Sequence, residues 1–174
     1  MDLFEAIAKR HSYRGDYKSQ PVPREDLQKI VQAGIQAPSG CNAQSTTFVI
    51  VDDAAVMEQV RQIVPVKSPA VIVCCVDPSP VYKGASFEKE DCAAAVENML
   101  LAVTALGYAT VWLDGVLRTE GKAEKLAQLL GVPNGKHVQI LLPIGVPTEQ
   151  VKQREKKAFE ERAWFNGYEG DRSN

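Results

Sequence analysis

The sequence lacks a long apolar run and a strong charge of either sign. Its 174 residues include 20 basic and 22 acidic side chains, for a net charge of −2. Without a basic excess the chain cannot release many counterions from a phosphate backbone, so we do not expect nucleic acid as a main partner. The longest apolar runs, 70–76 and 99–106, are too short to cross a bilayer, and charged residues interrupt the N-terminal stretch. We therefore expect a cytoplasmic protein without a membrane segment.

Common metal and nucleotide motifs are also missing. The four cysteines (Cys41, Cys74, Cys75 and Cys92) show no C-x-x-C spacing, and no histidine lies at a zinc-site distance from them. We expect no metal site. Neither G-x-G-x-x-G nor G-x-x-x-x-G-K occurs, so the sequence supports no Rossmann or P-loop nucleotide site.

Apolar periodicity and breaker residues predict alternating helices and strands. Helices are expected at 3–10, 24–37, from Asp52 or Asp53 to 64, at 87–106, and from Thr119 or Gly121 to 130. Strands are expected at 46–51, 70–76, 108–113 and 137–144. The helix at 87–106 is apolar on nearly every side after Cys92, which fits either an ordinary core helix or one buried at a dimer interface. We predict one domain, 1–148, with a C-terminal extension, 149–174.

A basic turn follows the first predicted helix. It places two guanidiniums, an imidazole and a hydroxyl together in the run Arg10-His11-Ser12-Tyr13-Arg14. Because alternate residues of an extended turn point the same way, Arg10, Ser12 and Arg14 can converge on one anion, and arginine matches phosphate oxygens in a bidentate manner. The alternative is a solvated basic patch at a helix C-terminus, where cations are favourable against the helix dipole.

A second stretch of interest precedes the first predicted strand. The loop Pro38-Ser39-Gly40-Cys41-Asn42-Ala43-Gln44 is rich in small and amide residues. It fits a simple connector, or a wall of backbone and amide groups that hydrogen-bonds a flat polar ligand, since serine and glycine allow close backbone approach.

Together with a third stretch, these features resemble the FMN-dependent nitroreductase family. The third is Gly107-Tyr108-Ala109-Thr110-Val111-Trp112-Leu113-Asp114-Gly115, which follows the long apolar helix. The resemblance covers nearly the whole chain. It implies an α+β fold, a three-layer α/β/α sandwich with a central mixed, mainly antiparallel sheet. It also implies a homodimer with FMN at the interface, in which the C-terminal extension reaches the partner subunit.

The resemblance also implies a set of FMN-binding residues: Arg10, His11, Ser12, Arg14, Pro38, Ser39, Gly40, Asn42, Leu113, Asp114, Gly115, Lys152 and Arg154. By resemblance, residues 10–12 hold the phosphate and Arg14 lies nearer the pyrimidine edge of the ring. Residues 38–42 would come from the other subunit, and the backbone at 114–115 would approach flavin N5. The last basic pair near the phosphate is Lys152 and Arg154, although Lys156 could replace either in a shifted register.

The function implied by the resemblance is an FMN-dependent NAD(P)H oxidoreductase that reduces nitroaromatics, quinones or similar electron-poor acceptors in a ping-pong cycle. No side chain has to act as a nucleophile, because the flavin carries the chemistry. The alternatives are a flavin-binding protein that stores or senses FMN, and a relative with other chemistry, such as dehalogenation. One departure is the lack of a clear Asn and Lys pair before the second strand, where Arg61 and Lys67 are weak substitutes. Another is the short excursion at 78–88, which suggests a permissive substrate site.

Overall fold

The structure, a computed structural model, describes residues 1–168. The helices and strands follow along the chain in the order α1 (Leu3–Lys9), α2 (Arg24–Ile35), β1 (Thr46–Val51), α3 (Ala54–Ile63), β2 (Ala70–Val76), α4 (Glu88–Ala105), α5 (Lys122–Leu129) and β3 (His137–Ile144). The three strands have the predicted bounds, and each helix begins or ends within a few residues of its prediction. Residues 169–174 of the predicted extension lie outside the described residues.

Local capping explains where several helices begin. The Asp2 carboxylate accepts a hydrogen bond from Glu5 N (2.9 Å) at the start of α1. Asp53, rather than Asp52, caps α3, because its carboxylate accepts from the second and third backbone N–H groups of that helix. Helix α5 follows Gly121, whose φ of 65° lies in the left-handed region that glycine adopts at little cost.

The sheet is three-stranded, in the order β1-β2-β3, and both strand pairs are antiparallel. The expected sheet was mixed, but all strand pairing within residues 1–168 is antiparallel. The predicted strand at 108–113 was wrong. That segment forms only isolated bridges, from Ala109 to Gly145 and from Leu113 to Leu141. The two bridges share one antiparallel register, which pairs position 111 with Pro143, and proline has no N–H to donate to that ladder. Between the bridges, Thr110 O accepts a hydrogen bond from Tyr13 N (2.8 Å).

Apolar residues pack on both faces of β2, whose seven residues are all buried. Ile72 and Cys74 belong to a core that includes residues of α2 and α4. Val71 and Val73 belong to a second core that includes residues of α3 and α5. The alternation follows from the two-residue period of a strand, and a strand covered on both sides can be apolar throughout.

Helix α1 leaves much of its apolar surface exposed. Helical spacing puts Leu3, Ala6 and Ile7 on one face, yet only Ala6 is buried, and Leu3 and Ile7 are 61% and 47% exposed. Phe4 is 81% exposed. The helix packs against α4, and it presents the rest of its apolar side chains to solvent within this chain. No helix in residues 1–168 is both long and apolar enough to span a bilayer.

Candidate functional site

The basic turn is anchored by Tyr13, which is 1% exposed. Its hydroxyl donates to Asp16 O (2.6 Å) and accepts from Thr148 N (3.2 Å). The neighbours on either side, Ser12 and Arg14, are exposed. One buried side chain between two exposed ones is the alternation expected of an extended turn, so both polar side chains point away from the core.

Arg10 lies at the base of the turn and meets the C-terminal segment. Its Nε is 3.8 Å from Glu97 Oε1 on α4, at the outer limit of an ion pair. Its backbone oxygen accepts a hydrogen bond from the side-chain amide of Gln153. That contact brings the residues on either side of Gln153, Lys152 and Arg154, to the vicinity of the turn. His11, which is half-buried, has its Nδ1 2.9 Å from Lys9 O.

A cavity of about 170 Å³ joins the turn to the end of the 108–113 segment. Arg14 and Leu113 both line it, together with Lys67 and Tyr17. Lys67 is held beside the turn by Asp16 (Nζ–Oδ1 2.6 Å), and this contact raises the pKa of Lys67. The structure therefore places Lys67, a weak candidate from sequence, against the same cavity as Arg14.

Asp114 and Gly115 follow directly, but only their backbones are available. Both carboxylate oxygens of Asp114 are bound by Arg118 (Nε–Oδ1 2.7 Å, Nη2–Oδ2 2.6 Å). A Cβ placed on Gly115 would meet no heavy atom within 4 Å. Packing within the described residues therefore does not require glycine at position 115. The space beside the Gly115 backbone is open.

The loop at 38–44 lies elsewhere in the chain. Gly40 N donates to the buried carboxylate of Asp91 on α4 (2.8 Å), and Pro38 and Ser39 line a groove of about 470 Å³ with residues of α2 and β1. Arg14 and Leu113 do not line that groove. Within one chain the structure brings the basic turn, the cavity wall and the tail together, while the loop faces a different surface.

Two residues near the site were missed from the sequence. Asp91 stands in a charged run at the start of a helix, Glu88-Lys89-Glu90-Asp91, where a solvated side chain is the usual outcome. Gln153 lies in a polar tail. Neither position carries a local sequence signal, because both contacts join segments that are distant along the chain. The described residues contain no cluster of side chains suited to a metal ion.

Comparison with known proteins decides the family. The sequence profile described as "Nitroreductase family" matches residues 7–69 and 67–146, which is most of the chain. The chain belongs to the Nitroreductase family. As a member it shares 33% identity over 161 residues with a Methanothermobacter thermautotrophicus protein described provisionally as an NADH dehydrogenase/NAD(P)H nitroreductase. That alignment covers 89% of this chain and 82% of the relative.

Solved structures of family members share the fold. A Bacteroides thetaiotaomicron protein with the same provisional description superposes with a TM-score of 0.83 at 25% identity, covering 95% of this chain and 98% of the other. A nitroreductase with bound FMN from Bacteroides fragilis superposes with a TM-score of 0.74 at 25% identity. That match covers 91% of this chain and 95% of the other.

Proposed function

We propose that this protein is an FMN-dependent NAD(P)H oxidoreductase that reduces nitroaromatics, quinones or similar electron-poor acceptors. The observation that carries the proposal is the meeting of the basic turn with the 108–115 segment. Tyr13 N bonds to Thr110 O (2.8 Å), and Arg14 shares a cavity with Leu113. The family membership and the FMN-bound relative support the same conclusion.

The donor groups around the turn fit a flavin phosphate. An FMN phosphate carries roughly two negative charges and binds best to several cationic donors. Arg14, Lys152 and Arg154 form no ion pair within residues 1–168, and Arg10 has only its long contact with Glu97. The described structure thus supplies positive groups whose charges are not neutralised by neighbouring carboxylates.

Each group then has a role that follows from its place. Arg10, with Ser12 and His11 beside it, would bind the phosphate, and Lys152 or Arg154 would add charge from the tail. Arg14 and Lys67 would stabilise negative charge at the ring edge nearest the cavity. The open backbone at Asp114 and Gly115 would lie against the ring. When bound, the flavin supplies hydride acceptance and donation, and the protein orients it and excludes water.

We also propose that the active form is a three-layer α/β/α homodimer. Exposed Leu3, Phe4 and Ile7 form an apolar surface on α1, and Phe159 and Phe165 of the tail are 59% and 72% exposed. Clustered exposed apolar side chains such as those of α1 are typical of protein interfaces. The loop at 38–44 would then contact the flavin bound by the partner subunit, since the loop does not line the cavity that Arg14 lines.

The test begins with flavin-free protein titrated with FMN and followed by visible absorbance. We expect Arg10→Ala or Ser12→Ala to weaken binding about tenfold to a hundredfold, because each lost hydrogen bond to a charged group is worth about 1.5–3 kcal/mol. Lys125→Ala, which removes an exposed cation from α5, serves as the charge control and should bind FMN as the wild type does. Equal affinity in all variants would remove the basic turn from the site.

Turnover is tested separately by adding NADH or NADPH to the FMN-loaded protein without air. Rapid bleaching, reversed by an electron-poor acceptor, is the expected result. A yellow protein that stays oxidised with both nucleotides would indicate a flavin store or sensor, and a protein that takes up no FMN would contradict the proposal altogether.

A further inference from the structure

Asp91 is the only charged side chain that is buried among residues 1–168, with 6% of its surface exposed. A carboxylate in such a place costs considerable free energy unless it accepts hydrogen bonds. Its two oxygens accept from Gly40 N and from Ser45 Oγ, both at 2.8 Å. One side chain of α4 therefore holds the two residues, Gly40 and Ser45, that flank residues 41–44.

The segment between those two contacts has an unusual backbone. Cys41, Asn42 and Gln44 have φ values of 51°, 54° and 51°, in the left-handed region that non-glycine residues rarely adopt. Such conformations cost of order 1–3 kcal/mol each and persist only where the surroundings enforce them. The side chains of all three residues are exposed, so packing of these side chains does not enforce the conformation.

Contacts at the start of α4 enforce it instead. Beyond the two hydrogen bonds of Asp91, the backbone at Gly40 lies so close to Phe87 that a Cβ there would be 2.8 Å from Cγ of the ring. Ser39 Oγ closes the loop internally by accepting from Gln44 N (3.0 Å). Of these contacts, only those of Asp91 tie the backbone on both sides of residues 41–44 to another element of the fold.

We propose that Asp91 is a positioning residue that fixes the loop at 38–44 in the conformation that presents its polar groups to the flavin. This inference rests on the proposed function, in which the loop of one subunit contacts the ring bound by the other. Asp91 is 6% exposed where it lines the groove beside Pro38 and Ser39, and its two carboxylate oxygens accept from Gly40 N and Ser45 Oγ, so its effect on the loop is exerted through Gly40 and Ser45. Its contribution is to keep Ser39 and Asn42 in place before the ligand arrives, which lowers the entropy lost on binding.

Two substitutions separate positioning from mere burial. In Asp91→Asn the side-chain oxygen can still accept from Gly40 N, and its amide can donate to Ser45 Oγ once the hydroxyl turns. Asp91→Ala removes both contacts and leaves the half-buried N–H of Gly40 and the buried hydroxyl of Ser45 without these partners. Glu90→Ala is the matched control, since Glu90 is the preceding residue of the same helix and is exposed.

The first measurement needs no flavin. In the flavin-free full chain we expect amide hydrogen exchange at residues 40–45 to be at least tenfold faster in Asp91→Ala, and within about threefold of wild type in Asp91→Asn and Glu90→Ala. Alkylation of Cys41, the exposed cysteine of the four, should also be faster in Asp91→Ala and close to the wild-type rate in Asp91→Asn and Glu90→Ala. Unchanged exchange and alkylation in Asp91→Ala would overturn the proposal.

The second measurement compares titrations with FMN and riboflavin. Asp91→Ala should weaken both by a similar factor of about ten, because the loop contacts the ring, and Asp91→Asn should restore both affinities. Arg10→Ala should weaken FMN far more than riboflavin. A loosened loop with wild-type affinity for both flavins would overturn the positioning role.

These results remain distinct from a failure of the proposed function. If the wild type takes up neither flavin, the proposed function fails, and the link from Asp91 to flavin binding fails with it. The exchange data still decide whether Asp91 holds the loop. If Asp91→Ala does not fold, Ser45→Ala removes one contact only, and we expect it to give the same changes at a smaller size. Wild-type exchange and affinity in a folded Ser45→Ala protein would then count against the proposal.

Discussion

Gly40→Ala provides a sharp test of how the 38–44 loop packs. The added Cβ would lie 2.8 Å from Cγ and 3.0 Å from Cβ of Phe87, whereas carbon atoms in favourable contact are about 3.5–4.0 Å apart. The ring or the loop must therefore move by about 1 Å. The backbone of Phe87 is fixed by a hydrogen bond from Asp91 N to its oxygen (2.9 Å), so we expect the loop to take much of the shift.

Overpacking of this kind costs about 1–3 kcal/mol. In a chain of this size each kcal/mol lowers Tm by about 2–4 °C, so Gly40→Ala should unfold about 2–12 °C below wild type in a calorimetric scan. The FMN affinity should also fall, because the loop is displaced. Gly115→Ala is the matched control: its Cβ meets no atom within 4 Å, and Tm should stay close to wild type.

A double-mutant cycle with Phe87→Leu tests the cause. Phe87→Leu alone should destabilise the protein by removing packed aromatic surface, but it also makes room for the new methyl group. The double variant should therefore be more stable than the sum of the two single changes by about 1 kcal/mol, the size expected of residues in contact. Strict additivity, or an unchanged Tm for Gly40→Ala, would refute the reasoning.

Further predictions concern the open space beside Gly115 and the hydrogen bonds around Asp26. Gly115→Leu should leave Tm near wild type yet weaken FMN binding at least tenfold in an absorbance titration, because the side chain fills the space proposed for the ring. Hydrogen bonds from Lys29 and Tyr108 lower the pKa of Asp26 below its ordinary value of 3.8. The stability linked to this shift is present above pH 3.8 and is lost as the pH falls through the pKa that Asp26 has in the folded protein. Asp26→Asn should flatten the loss of Tm between pH 5 and pH 2, and an equally steep loss would contradict the assignment. Burial, and then the hydrogen bond to Asp26, raises the pKa of Tyr108 to about 12. The stability linked to this shift is present below pH 10 and is lost as the pH rises from 10 to 12. A titration followed by phenolate absorbance should give a smaller rise in the pKa of Tyr108 in Asp26→Asn.

The strands show where sequence reasoning about this fold succeeds. β1, β2 and β3 consist of β-branched and apolar runs bounded by polar or breaker residues, and their observed bounds match the predicted ones. The run at 108–113 has the same composition but forms no strand. Its pattern specifies an extended backbone, and it does not specify the partner. The fold divides its hydrogen bonds between residues of β3, Gly145 and the basic turn.

Helix α1 shows the converse problem. Periodicity identified its apolar side chains, but not what covers them, and Leu3 and Ile7 remain exposed in this chain. An apolar stripe has the same spacing whether it meets its own core or another protein. A sequence pattern alone therefore cannot distinguish the two.

The sequence by itself determined the kind of protein: the five helices and the three strands of the sheet, the family, and the cationic turn at 10–14. These follow from local spacing and residue type. Only the tertiary structure decided which distant groups meet. It placed Lys67 beside Arg14, Gln153 on Arg10, and the Asp91 carboxylate under the 38–44 loop. The physical reason is that burial and hydrogen bonding depend on the path of the whole chain. A charged residue whose sequence context predicts a solvated side chain can therefore support a loop residue 51 positions away.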